Sequence, residues 1–428
     1  MFFQEISASL YAWDLADEGI ERILGNLQEM TRCNSVYLIA LMHHEKRPLT
    51  DFFYPHNPVR KTYCPEDSRV YWHPDLRFYD GTPIKPLTSS RDLLKETDWL
   101  AQCIDAVRKR GLRTGVEISH TIIDKERAAS QFPQCMQHDI YGNRIGAAGA
   151  AALICFNNPD ARAYAIGLFV ELASRYDLDF IQTCLIPFAA GRAQQGANQD
   201  AGRVLGTVLG GCFCESCAKA AAARGLDLAK IKHDLLPLAD SLTRPTLEQA
   251  HELALLMAGN TSPAAILMEN PSLYSWLNFR RDCITDFFRE VHERVHAAKP
   301  AIDLRLNAYI SANAELSGID LRALKPHLDS IRSSDYSEQS GSAQQLEHKR
   351  RWLLSVRRAV GDDMYFLSAI GVRPKATPEL IRQGVVISAE CGADGLTMEH
   401  YDGASFSNLR AIKEGMEMAD VEMEEKPF

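Results

Sequence analysis

Eight times in this chain, an apolar run of strand length is followed by a segment of helical periodicity, and that alternation restricts the fold more than any other feature. The runs are Ile6–Trp13, Ser35–Met42, Arg113–Ser119, Asp179–Cys184, Asp303–Ile310, Ser330–Tyr336, Met364–Ile370 and Leu396–Met398. Helices are predicted from Asp14 or Asp17 to Met30, over Leu93–Arg110, Asp160–Tyr176 and Trp276–Ala298, from near Ile319, and over Ala343–Val360, Pro378–Cys391 and Phe406–Met418. Parallel neighbours need crossover helices, and eight such units close on themselves, so the expected fold is an α/β (β/α)8 TIM barrel filling 1–428 as a single domain. Two stretches interrupt the rhythm. His43 to Ser90 is a long loop rich in Pro, Tyr, His and Asp, and Leu185 to Ser272 is expected to be a helical insertion after the fourth strand.

With 46% hydrophobic residues in 428, the chain can bury a large core. A net charge of −9 without long like-charged blocks argues against nucleic acid as the main partner. No apolar stretch reaches membrane-spanning length, and the start, MFFQEISASLYAWD, lacks a basic region and a cleavage site, so a cytoplasmic protein is expected. The acidic end, EMEEKPF, reads as a frayed tail, and a homo-oligomer stays open. Most of the eleven cysteines stand singly in apolar or helical runs, as small buried hydrophobes do.

Cys212, Cys214 and Cys217 are the exception, three thiols within six residues. That density suits a tetrahedral thiolate zinc site, which needs a fourth ligand from elsewhere. Cys155, just before a proline-started helix, is the best candidate, with Cys135 and Cys184 as rivals. A closed site of this kind is structural and would pin the insertion. Nothing in the sequence asks for an organic cofactor.

The run Cys155-Phe-Asn-Asn-Pro159-Asp-Ala-Arg162, then Tyr176-Asp-Leu-Asp179-Phe-Ile-Gln182-Thr183, then Cys212-Phe-Cys214-Glu-Ser-Cys217, resembles the β-galactosidases of glycoside hydrolase family 42 and the broader glycoside-hydrolase-like barrels. The last strand, GADGLTMEHYDG, resembles the end of such barrels. The resemblance implies structural zinc on Cys155, Cys212, Cys214 and Cys217 and a small carbohydrate substrate. It does not extend to the family's two catalytic positions. The fourth strand ends Gln182-Thr183-Cys184-Leu185-Ile186 and the seventh reads Tyr365-Phe-Leu-Ser368-Ala-Ile370, neither with a carboxylate.

Other strand ends do carry carboxylates. Glycoside cleavage needs one carboxyl group held protonated near neutral pH and one ionised across the sugar. Asp335 and Glu399 are the first candidates, because each ends an apolar strand beside an aromatic residue, Tyr336 or Tyr401. Glu117 is the third, with pairing to Arg305 or Arg332 as its competing role, while Asp335 competes as a turn cap in Ser333-Ser-Asp-Tyr-Ser337. Trp13, Asp14, Gln182, Asn307, Tyr309, Tyr336, His400 and Tyr401 offer sugar-type contacts of flat rings, amides and a carboxylate. His43, His44 and His120 join them as substrate contacts. The histidines, with Glu117, Asp335 or Glu399, also leave open a metal-dependent sugar isomerase, epimerase or lyase. The expected function is hydrolysis of a glycosidic bond. A sugar-binding barrel that has lost catalysis is the reading from outside enzymes.

Overall fold

The computed structural model describes residues 2–41, 55–61, 69–88, 97–145, 151–184, 209–243, 246–248, 251, 267–308 and 318–425. Its strands in chain order are β1 (Glu5–Leu10), β2 (Ser35–Leu41), β3 (Arg113–Ile118), β4 (Ile122–Asp124), β5 (Ala151–Leu153), β6 (Phe180–Cys184), β7 (Asp303–Ala308), β8 (Ser330–Ser333), β9 (Tyr365–Ile370) and β10 (Gly395–Met398). Eight of them close a barrel in the order β1-β2-β3-β6-β7-β8-β9-β10, with β10 returning to β1 and every neighbouring pair parallel. The fold is the (β/α)8 barrel that the alternation of periods predicts. Among the described residues, no helix is long and apolar enough to cross a membrane.

Several element bounds differ from the sequence reading. The first strand stops at Leu10, and Trp13 belongs to a short helix, Ala12–Glu18, closed by reciprocal capping between Tyr11 and Asp14. Gly19, at φ 84°, separates it from a second helix, Ile20–Thr31, where one continuous helix is expected. In the loop after β3, β4 pairs antiparallel with β5 in a ribbon that the sequence does not predict, because two three-residue strands carry too little periodicity. The last helix, Phe406–Glu425, takes in most of the acidic end that reads as a tail. Within the expected insertion, helices Glu215–Ala222 and Leu228–Thr243 are described, and the helix that returns the chain to the barrel starts at Pro271, earlier than Trp276.

At the amino-terminal end of the strands the barrel interior holds a buried ionic cluster. Arg305 donates to both oxygens of Glu5, at 2.9 and 3.1 Å, and to Asp303 at 2.7 Å, while Arg113 and Ser35 reach the same Glu5 at 2.6 and 2.8 Å. Two completely buried ions are tolerable here because each finds several partners. Arg305 is thereby engaged at the floor of the barrel, which leaves Arg332 to the mouth.

Candidate active site

Glu117 is the fifth residue of β3 and lies directly opposite Gln182 of β6 in the parallel register. It is buried and accepts hydrogen bonds from the Gln182 amide and, at 3.3 Å, from Asn307 Nδ2. Asn307 in turn accepts from the Ser334 hydroxyl, so β3, β6, β7 and the end of β8 are tied into one polar network. Burial raises the Glu117 pKa, while Arg332 and the Gln182 and Asn307 hydrogen bonds pull it down.

Glu399 follows β10 directly, and its amide continues the ladder to the Ile370 carbonyl at 3.0 Å. Its carboxyl group is almost fully enclosed, with Arg373 Nη2 3.0 Å from Oε1 and the Gln339 amide on Oε2. Burial pushes it up to about 7, against the pull of Arg373 and Arg332 and with a further push from Asp402 and Glu338. Arg332 therefore acts on both Glu117 and Glu399, from β8. Its guanidinium donates to the Tyr336 hydroxyl at 2.8 Å and to Ser334 Oγ at 3.2 Å, and the Tyr336 hydroxyl lies in the fields of both glutamates. A carboxyl group pushed up to about 7 against Arg373, with Arg332 acting on it and on Glu117, has the parts for acid catalysis at a charged substrate or transition state.

The other candidates fall into distinct places. Asp335 accepts the Ser337 amide at 3.1 Å and sits 3.9 Å from Lys349 Nζ, the turn-cap geometry that Ser333-Ser-Asp-Tyr-Ser337 allows. Lys349 is fully buried and makes a 2.7 Å ion pair with Glu338. Asp14 accepts the Tyr11 amide at 2.8 Å, and burial together with Asp402 raises its pKa well above the usual carboxylate range. Trp13 is fully buried, stacked on Tyr11 with centroids 4.1 Å apart, and donates through Nε1 to Asp402 at 3.4 Å. His400 Nδ1 bonds the Ser9 hydroxyl at 3.0 Å. Tyr401 points to the first helices, donating to Glu18 at 3.0 Å and lying against His56.

His120 is not brought to the mouth. Its ring packs against Phe169, Phe287 and Phe288 on the surrounding helices, with Thr183 Oγ1 2.7 Å from Nδ1, and burial lowers its pKa to about 3. His43, His44 and Tyr309 lie outside the described residues. Arg373, Gln339 and Ser334 are not among the residues that carboxylates and rings at strand ends single out. All three come after the ends of β8 or β9, and that position is the signal that marks them.

The cysteine motif forms a second centre. The Sγ atoms of Cys155, Cys212, Cys214 and Cys217 all lie within 4.8 Å of one another and all four residues are buried. Cys155 and Cys217 are 3.4 Å apart, far longer than a disulfide and close to the spacing of about 3.8 Å between thiolates on one tetrahedral zinc ion. The donor set therefore fits a metal ion. Asn157 Nδ2 donates to Cys217 Sγ at 3.3 Å and the His138 amide to Cys212 Sγ at 3.4 Å, the outer support that thiolate sites use. Cys135 instead faces the Asn158 side chain, which caps helix Pro159–Arg175. Gly211 has φ 136°, and a Cβ there would meet the Trp276 ring at 2.4 Å, so the approach to Cys212 is open only to glycine.

No protein-family model and no curated protein matches this chain. Solved structures do. An α-L-fucosidase, isoenzyme 2 from Paenibacillus thiaminolyticus, shares 15% identity at a TM-score of 0.60, covering 99% of this chain and 50% of its own. The PgaB (BpsB) glycoside hydrolase domain from Bordetella bronchiseptica shares 13% at 0.59, covering 97% of this chain and 98% of its own. Gan42B, a GH42 β-galactosidase from G. stearothermophilus, shares 14% at 0.57, covering 98% and 57%. The chain thus spans half the length of the fucosidase and 57% of the galactosidase. At these identities the likeness is one of fold, a glycoside-hydrolase-like barrel.

Proposed function

We propose that this chain hydrolyses glycosidic bonds in a small carbohydrate, with Glu399 as the proton donor and Glu117 as the ionised carboxylate. The observation that carries the reading is that the charge of Arg332 acts on both carboxyl groups while its guanidinium donates to the Tyr336 hydroxyl and to Ser334. Burial raises both groups, but on Glu117 Arg332 and two amide donors offset part of that rise and favour the carboxylate form, while the enclosure of Glu399 favours a carboxylic acid near neutral pH. Glu117 stands ahead of Asp335 because Asp335 is engaged by the Ser337 amide and faces Lys349. Asp335 is then a residue that positions the loop carrying Tyr336 and Gln339. Barrels of glycosidases among the structural neighbours support the reaction class.

Zinc is the ion proposed for Cys155, Cys212, Cys214 and Cys217. There it would tie the insertion, 185–272 in a single barrel domain, to the loop after β5, and take no part in the reaction.

The test is turnover of aryl glycosides and disaccharides by wild type, Glu399→Gln, Glu117→Gln and Asp335→Asn. Both glutamine variants are expected to lose at least about 100-fold, and Asp335→Asn far less. With a good aryl leaving group the Glu399→Gln loss should shrink, since departure no longer needs a proton, whereas the Glu117→Gln loss should persist. Near-normal turnover by both glutamine variants would refute the assignment. Sugar binding without cleavage by wild type would favour a barrel that has lost catalysis.

A further inference from the structure

A long way from the mouth, the helix Pro271–Ala298 carries the run His292-Glu293-Arg294-Val295-His296. Four-residue spacing places two imidazoles one turn apart on one face, and their ring centroids are 4.2 Å apart. Asp329, the residue before β8, supplies a carboxylate to the same point: Oδ2 is 2.8 Å from His296 Nε2, and Oδ1 is 3.8 Å from His292 Nε2. One ligand atom from each of the three lies within 4.8 Å of the others.

We infer that His292, His296 and Asp329 form a second metal site, for a borderline divalent cation such as zinc. Two imidazoles and a carboxylate are a donor set that zinc accepts, and three protein ligands leave a fourth position for water. The ligands are oriented from behind. His296 Nδ1 faces the Pro300 carbonyl at 3.1 Å, which turns Nε2 toward the site, and Asp329 Oδ2 also accepts the Leu304 amide at 2.8 Å. The three side chains are between 23% and 34% exposed, open enough for an ion to enter and sheltered enough to hold it.

This centre would clasp the helix to the entry of β8 at the amino-terminal end of the strands, the face of a barrel concerned with stability and not with chemistry. Glu293, next to the first ligand, makes an ion pair with Arg289 at 3.2 Å on the exposed side, so the run serves as a clasp with no base aimed at a bound water. The inference does not depend on the proposed glycosidase reaction.

The experiment is a calorimetric titration of Zn2+ into protein whose thiolate site is already filled, repeated with Co2+ followed by absorption. Wild type is expected to take one further equivalent, with cobalt bands that lack the sulfur charge-transfer of a thiolate site. His292→Ala and His296→Ala should each weaken that equivalent by at least about tenfold, while the exposed His233→Ala leaves it unchanged. Zinc should also raise the Tm of wild type and not of His292→Ala. His292→Ala keeps the His296 pair with Asp329 and so reports on folded protein. Absence of the further equivalent, or its survival in both histidine variants, overturns the inference.

Discussion

Arg373 reaches Glu399 from just beyond the neighbouring strand, with Nη2 3.0 Å from Oε1, and its charge is the strongest counterweight to the burial that lifts this carboxyl group to about 7. Removing that counterweight must raise the pKa further, because only the ionised form gains from a nearby cation.

A rate that needs protonated Glu399 should fall as pH rises through about 7. In Arg373→Gln the falling limb should move to higher pH. Profiles of kcat/KM against pH for the two proteins check this, and an unmoved limb would remove Glu399 as the donor.

The same shift makes a stability prediction. Below its ordinary pKa of 4.5 Glu399 is protonated in both folded and unfolded chains, and between 4.5 and about 7 only the unfolded chain ionises. Wild type therefore loses stability over that window as pH rises. Glu399→Gln, which does not titrate, should gain relative to wild type between about pH 4 and about pH 8, by up to about 3 kcal/mol. Urea unfolding at the two pH values measures it.

Lys349 and Glu338 are both fully buried and pair at 2.7 Å, so Lys349→Met should destabilise by about 3–5 kcal/mol by leaving a carboxylate without its cation. The double variant Lys349→Met with Glu338→Gln should cost less. Gly384→Ala is expected to act on the same pair, because its Cβ would fall 2.2 Å from Glu338 Oε1. Urea midpoints of the three variants test the ordering.

Metal analysis should find zinc on the four thiolates, and Cys214→Ser or Cys155→Ser should lose it and lower the Tm. Cys135→Ser, whose thiol faces Asn158, should retain the ion. Metal loss caused by Cys135→Ser and not by Cys155→Ser would reverse the ligand assignment.

Local patterning determined the barrel. Strand runs such as Tyr365–Ile370 and helices such as Ala343–Val360 stand in the structure within a residue of their sequence bounds, because their periods are set by neighbours only a few positions away. The thiol cluster was legible in the same way for Cys212, Cys214 and Cys217, whose spacing is local, while Cys155 joins them through the loop geometry at β5. The mouth was not. Whether a residue past the last ladder bond turns inward or outward depends on what packs against it: Glu399 meets Arg373, whereas His120 turns into three phenylalanine rings and Trp13 onto Tyr11. Sequence named Asp335 and Glu399 first and Glu117 next, with Arg305 or Arg332 as the partner of Glu117. Tertiary structure decided that the charge of Arg332 bears on Glu117 and Glu399, since Arg305 is taken by Glu5 at the other end of the barrel, where a buried charge is held by its opposite.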